Sequence, residues 1–375
     1  MALAGSSSQG ELRAAIESLL RACVEVDRQV QQVADESREH VRDVARVLVG
    51  VRMPPWAGLA DEIAGLGGAV SAELSRNLAD ARAPFVAEVH QLLGLLAPLH
   101  GLGPVPALTA SAAAADLTHA FPAGFARDYV ADLLRSVERS VTLDVDAAGQ
   151  VPIVSDAAAD DVKVAVGAKL PNDFREECVR LLRDSICHTV ERHGPQISDQ
   201  AQLARLLWVK DPSGDESWQI TSAGPVESTH WCGPVSGGFT SPAALARPIE
   251  AFLRAAHEQA DGIDEFLKRN TKKKAKVIGI HVSAQLAGLQ AGDASGYLGA
   301  GTGTKQTRQD WLLAREHGLA EGRPTVFGVP YDPIATGTDP GATLVFRRDG
   351  NRWQLITCYP VEKQGPTDRR LEDLT

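Results

Sequence analysis

Ala342-Thr343-Leu344-Val345-Phe346-Arg347-Arg348-Asp349-Gly350-Asn351-Arg352-Trp353-Gln354-Leu355-Ile356-Thr357-Cys358-Tyr359-Pro360 reads as a β-hairpin. Asp349-Gly350 is a two-residue turn signal, because both central positions of a type I′ turn need positive φ. That turn sets Arg347 opposite Arg352, Phe346 opposite Trp353 and Leu344 opposite Leu355. Side chains alternate between faces along a strand, so Leu344, Phe346, Trp353 and Leu355 form one apolar face. The same face, extended, is expected to carry Thr357 and Tyr359 before Pro360 stops the pairing.

Working outward, Val277-Ile278-Gly279-Ile280 is a short strand, Gly288 to Gly303 is glycine-rich, and a helix is expected from Gln306 to His317. Thr325 to Val329 supplies another strand. The lysine run Lys272–Lys276 marks the start of this part, giving a C-terminal α+β domain over residues 271–375 with a small antiparallel sheet. Upstream, residues 146–270 read as a second α+β domain. Val151–Val154 and Val162–Val166 look like strands, and a helix from Asp173 to Arg192 follows Pro171. Leu206–Val209 and Trp218–Thr221 flank a turn at Asp211-Pro212-Ser213-Gly214 and suggest a hairpin. A helix is expected from Pro242 to Lys268.

The first part, residues 1–145, is all-α. Leu12, Ile16, Leu19, Cys23, Val26, Val30 and Val33 recur at spacings of four and three, resuming at Val44, Val47 and Val51. That is a coiled-coil seam on one long helix, which Met53-Pro54-Pro55 ends. Further helices are expected over Leu59–Leu96, with a break at Pro84, and over Ala123–Val141. Gly101–Ala115 reads as a linker. The fold class is therefore multidomain: a long-helix bundle followed by α+β middle and C-terminal domains.

The totals bound the function. A net charge of −10 argues against a nucleic-acid binder along the whole chain. From Ile263 onward basic residues slightly outnumber acidic ones, which suits a small domain meeting an anionic substrate. Five scattered cysteines include no CxxC pair, so neither a zinc site nor a disulfide framework is indicated, and no metal or cofactor is expected. No long apolar run predicts a membrane span. No signal-peptide pattern is visible, which places the chain in the cytoplasm of its producer and leaves export by a specialised machine open.

The hairpin's end also carries chemistry. A threonine and a tyrosine at adjacent same-face positions can bind a phosphate or steady a reacting oxygen, although both residues are also ordinary strand formers. The apolar-Thr-x-Tyr-Pro ending resembles the closing strand of bacterial toxin ribonucleases of the barnase, EndoU, colicin and RelE-like group, and of RNase A-like toxins from contact-dependent systems. The resemblance covers Ala342 to Val361. It implies that Thr357 and Tyr359 belong to an active site, joined by a histidine or lysine from earlier in a compact C-terminal domain behind unrelated delivery segments. It further implies an RNA substrate, a cognate immunity protein and a secretion or delivery machinery as partners.

Cleaving RNA without a metal needs a base for the 2′-OH, an acid for the leaving oxygen and cations for the phosphorane. His281, at the end of a short strand, is the candidate acid or base, with a structural role as the alternative. His317 sits where it would cap a helix C-terminus. Gly301-Thr302-Gly303-Thr304-Lys305-Gln306-Thr307-Arg308 runs from a glycine-rich turn into a helix. Its backbone donors, with Lys305 and Arg308, could hold a phosphate, though it is not a Walker loop. Arg347 beside the hairpin turn is a candidate RNA contact. A separate candidate is a cysteine nucleophile in Thr229-His230-Trp231-Cys232-Gly233-Pro234, assisted by His188, His193 or His257. The leading expectation is thus a toxin or effector whose C-terminal domain is an endoribonuclease with catalytic His281, Thr357 and Tyr359. The alternative is a non-enzymatic assembly or adaptor protein that oligomerises through its helices.

Overall fold

The computed structural model describes residues 2–50, 56–99, 101–102, 104–105, 121, 123–137, 140–214, 232–260, 262–272 and 275–374. It is a multidomain chain with long N-terminal helices followed by an α+β part with small sheets, as the patterning requires. The chain divides into two compact units, Met1–Arg139 with Ala300–His317, and Ser140–Gly299 with Gly318–Thr375. The 300–317 segment belongs with the first of these units.

The helices are α1 (Ala2–Gly50), α2 (Trp56–Leu99), α3 (Phe125–Val137), α4 (Val145–Gln150), α5 (Asp156–Gly167), α6 (Asn172–Leu182), α7 (Thr189–His193), α8 (Asp199–Trp208), α9 (Pro242–Gln259), α10 (Ile263–Asn270), α11 (Ala284–Ala287), α12 (Lys305–Glu321) and α13 (Pro333–Thr336). The strands are β1 (Val235–Phe239), β2 (Val277–Ser283), β3 (Ala294–Gly299), β4 (Gly328–Tyr331), β5 (Gly341–Asp349), β6 (Arg352–Val361) and β7 (Arg369–Arg370).

In the first unit, Ile16, Leu20 and Cys23 of α1 pack with Val86, Val89, Leu93 and Leu96 of α2 and with Tyr129, Val130 and Leu133 of α3. The heptad seam buries at its start and leaves the core further along, where Val44 is 50% and Val47 67% exposed. A straight helix drifts about 20° per heptad against a 3.5-residue repeat, so five heptads rotate the seam by roughly 100°. Ala34, off the seam, is buried. Pro84 is accommodated inside α2, which continues to Leu99 with no break.

The joining of residues 300–317 to this unit is polar and buried. Arg13, 0% exposed, donates to Ala300 O at 2.7 Å and to Thr307 O at 3.2 Å. The Asp132 carboxylate on α3 accepts from Gly303 N at 2.8 Å and Thr307 Oγ1 at 2.6 Å, with Thr304 N at 3.3 Å. A carboxylate at the start of α12 both satisfies orphan donors and complements the helix dipole.

The second unit has a four-stranded sheet in the order β6-β5-β2-β7 and a three-stranded antiparallel sheet in the order β1-β3-β4. β7 runs parallel to β2, and the other neighbours are antiparallel. Leu344, Phe346, Trp353, Leu355 and Cys358 share one core with Leu181, Phe252 and Phe266 from the helices. The Phe252 and Phe346 rings lie 4.7 Å apart. Burying that apolar face against α6, α9 and α10 is the main driving force for this unit.

Three expected strands are corrected. Residues 151–154 form no strand, Val162–Val166 lies inside α5, and Leu206–Val209 belongs to the end of α8 and its cap. In α5 the buried Ala159 and Val166 and the half-buried Val162 follow a helical period, which the alternating Val-Lys-Val-Ala-Val masks. Ser155 and Ser198 start α5 and α8 by accepting from the Ala158 and Ala201 amides. The helix expected from Asp173 to Arg192 is two, α6 and α7, with Pro171 rather than Asp173 at the cap. The helix expected to Lys268 ends at Gln259, and α10 follows Gly262, whose φ of +93° breaks the run. The Trp218–Thr221 strand lies outside the described residues.

The hairpin forms, with a different register. Gly350 and Asn351 make the turn, so Asp349 pairs with Arg352, Arg347 with Gln354 and Phe346 with Leu355. A β-bulge then opens between Val345 and Phe346, opposite Ile356. It restores Leu344 to a partner on the core face, Cys358, and it turns Thr357 and Tyr359 to the other face. The bulge is held from the side. His188 N donates to Ile356 O at 2.9 Å, and Cys358 N donates to Thr189 Oγ1 at 2.8 Å, so the start of α7 covers the open edge of β6.

Candidate functional site

The face of the four-stranded sheet away from the apolar core gathers the polar candidates. His281 pairs with Thr343, and Thr343 pairs with Tyr359, so the three side chains form one row across β2, β5 and β6. Thr357 lies one row along, in line with Val345 and Gly279. All three catalytic candidates therefore share a face, which is not the one the hairpin pattern suggested. Asp368 covers it: its carboxylate accepts from Thr343 Oγ1 at 3.1 Å. A Cβ on Gly279 would come within 2.2 Å of Asp368 Oδ1, so glycine makes the room for this carboxylate.

The candidates differ in access. His281 is 0% exposed, and no hydrogen-bond partner reaches either ring nitrogen among the described residues. Thr357 is 8% exposed and its hydroxyl is likewise buried without a partner. Tyr359 is half-buried and lines a cavity of about 280 Å³ with His193, Tyr331, Gly237 and residues 360–366, including Lys363 and Gln364.

His193 was weighed in the sequence only as an assistant to a cysteine, yet it is the histidine that meets Tyr359. Their ring centroids are 5.4 Å apart. His193 Nδ1 lies 2.7 Å from Gly237 O and 3.5 Å from Arg205 Nη1; the shorter contact, to a carbonyl that can only accept, assigns the proton to Nδ1 and the lone pair to Nε2. Burial, then the nearby Arg205 guanidinium, holds its pKa well below the ordinary imidazole value, so the ring is neutral. Burial, with Asp368 and Cys358 adding to it, pushes the Tyr359 phenol up to about 12, so it stays protonated. The cavity thus presents one neutral base and one hydroxyl donor.

A buried polar scaffold fixes His193 at the end of α7. The Arg192 carbonyl accepts from Gln202 Nε2 and Arg205 Nη1, each at 3.2 Å, and Ser236 Oγ donates to Gln202 Oε1 at 2.5 Å. The Arg192 side chain forks onto Asp211, with Nε at 3.0 and 3.1 Å from its two oxygens. Gly238 lets the chain of His193 approach β1, since a Cβ there would stand 2.7 Å from His193 O. The glycine pair inside a strand was the available signal for a close backbone approach.

The cation candidates lie elsewhere. Lys305 is exposed and Arg308 Nε donates to Thr302 O at 2.9 Å, both in the first unit. The N–H groups expected to cradle a phosphate there are taken by Asp132. Arg347 is exposed on β5, paired with Val277 and Gln354. Cys232 is buried, its Sγ 3.5 Å from Val235 O, while His230 lies outside the described residues. Among the described residues no cluster of His, Cys, Asp and Glu is arranged to hold a metal, and no helix is long and apolar enough to cross a membrane.

No family model matches this chain, and no match was found among curated proteins or solved structures. The functional reading therefore rests on the cavity's own chemistry.

The histidines give the fold an acid sensitivity. Burial, reinforced by Arg192 and Arg205, lowers His188 to about 4, and His193 and His281 are lowered mainly by burial. The unfolded chain takes up protons on these rings as pH falls through about 6.5, while the folded chain does not, so acid favours unfolding. Stability is expected to be flat above pH about 7 and to fall toward pH 5, before the carboxylates titrate. A melting temperature equal at pH 7.5 and 5.0 would contradict this.

Proposed function

We propose that the second unit is the RNA-cleaving part of a bacterial toxin or effector, with the cavity at the end of β6 as its active site. The observation that carries this reading is the pairing of Tyr359 with a neutral His193 whose Nε2 holds the lone pair. In the reaction, His193 Nε2 takes the proton of a ribose 2′-OH as that oxygen bonds to phosphorus. The bond from phosphorus to the 5′-oxygen breaks, and the Tyr359 hydroxyl protonates the leaving oxygen. The proton on His193 then returns to the phenolate. Lys363 on the cavity wall supplies positive charge to the phosphorane, and the buried Thr357 and His281 support the face behind Tyr359. RNA is the substrate in this reading, an immunity protein would act by covering the cavity, and the helical unit serves delivery or assembly.

The test is incubation of the full chain with a single-stranded RNA and analysis of its ends. Cleavage leaving 2′,3′-cyclic phosphate is expected, with His193→Ala and Tyr359→Phe each lowering the rate by about 100-fold or more. RNA left intact at equimolar protein sinks the reading, as does full activity in the double variant.

A second reading, a non-enzymatic assembly protein, draws on the exposed Val33, Val44, Val47 and Leu66 of α1 and α2. It predicts self-association in sedimentation that Val44→Ser and Val47→Ser abolish.

A further inference from the structure

The C-terminal residues 362–374 cross the sheet as a strap held by a few polar contacts. Asp339 N donates to Glu362 O at 3.1 Å, Thr343 Oγ1 to Asp368 at 3.1 Å, and Arg369 Nη1 to Asn270 O at 2.7 Å. Arg370 pairs with Asp339, and Ser283 Oγ bonds Glu372. The ladder to β2 is two residues long, Ile280 with Arg369 and His281 with Arg370. Leu371 and Leu374 anchor the end in the core.

His281 lies directly beneath this strap. Its two ring nitrogens are buried and, among the described residues, meet no hydrogen-bond partner, an arrangement that costs free energy in the closed state. The charged groups facing it are Asp339, Arg370, Asp368 and Glu372. The nearest carboxylate oxygen, Asp339 Oδ2, is 3.9 Å from Nε2 and already engaged by Arg370. Across β5 its neighbour is the uncharged Thr343.

We propose that residues 362–374 are an acid-released strap and that His281, sealed beneath them, is the proton acceptor that releases it. Closed, the ring is 0% exposed and, among the described residues, has no free acceptor for a second N–H. Open, it meets water with Asp339 still beside it, while Asp368, Arg370 and Glu372 leave with the strap, and it binds a proton more readily. A proton that prefers the open state shifts the population toward it, so opening grows as pH falls below the ordinary imidazole range. The imidazolium also competes with Arg370 for Asp339, the contact that pins β7. Because residues 362–366 wall the Tyr359 cavity, release would remodel that cavity. The inference is independent of the reaction assigned to the cavity.

Hydrogen exchange of the full chain at pH 7.5 and 5.0, corrected for the intrinsic exchange rate, tests it. Peptides covering 362–374 should lose protection at pH 5.0 several-fold more than β5, which tracks the stability of the whole unit. In His281→Phe, an apolar ring of similar size, the pH-dependent loss should vanish. The His281 ring resonance in the wild-type chain should titrate in step with the loss, which keeps the test decisive if the variant folds poorly. Protection of the strap that is unchanged with pH overturns the proposal. So does an equal loss in His281→Phe, or a loss shared equally by β5.

Discussion

Asp132→Ala is expected to destabilise the helical unit by about 2–3 kcal/mol, the cost of taking a buried carboxylate acceptor away from its hydrogen-bond donors. The carboxylate is 4% exposed and accepts from Gly303 N, Thr304 N and Thr307 Oγ1. Alanine leaves Gly303 N without its acceptor, at a cost of about 1–3 kcal/mol, while Thr304 N and Thr307 Oγ1 fall back on Thr307 Oγ1 and Thr304 O. It also removes the negative charge at the start of α12, worth a further fraction of a kcal/mol. Asp132→Asn should cost less, because one amide oxygen still accepts while the NH₂ group meets donors. Two units need not unfold together, so the readout should be local. Protection of residues 303–311, which include the fully buried Trp311, should collapse in the alanine variant before that of β5. A change below about 1 kcal/mol would mean that water replaces the carboxylate.

That contact also marks the limit of what the sequence disclosed. The heptads of α1 are local and strong, so the long helix was legible, and the turn residues made the β5–β6 hairpin legible too. The drift of the seam follows from the mismatch between 3.5 and 3.6 residues per turn, and it could have been anticipated. The capture of Ala300–His317 by the helical unit could not, because Asp132 and Thr307 are far apart in the chain and neither type advertises its partner. The bulge at Ile356 was hidden for a similar reason. It depends on α7 docking against the edge of β6 through His188 and Thr189, a tertiary event that no strand pattern records. Missing it placed Thr357 and Tyr359 on the core face. The same docking carries His193 to Tyr359, so the residue that completes the cavity was legible only as one histidine among ten. The short apolar runs at Val162 and Leu206 failed because a window of four or five residues fits both periods.

The second large effect is expected at Gly296. A Cβ there would stand 2.2 Å from Ser236 O and 2.5 Å from Gly237 Cα, both backbone atoms of the paired strand β1. No side chain can swing away to relieve the overlap. Gly296→Ala must therefore spread β1 from β3, and overpacking of this kind costs about 1–3 kcal/mol and occasionally more. The damage should not stay local. β1 supplies Gly237 O to His193 Nδ1 and Ser236 Oγ to Gln202, so moving the strand loosens the ring that faces Tyr359. A suitable control is Gly94→Ala in the exposed face of α2, where an added Cβ meets nothing within 4 Å. Helix propensity alone should make that variant more stable by about 0.5–1 kcal/mol. The two substitutions share their chemistry and differ in surroundings, so denaturation midpoints moving in opposite directions would show the β1–β3 approach to be a built constraint. Equal midpoints would show that the strands can part at little cost, and the rigid placement of His193 would lose its basis.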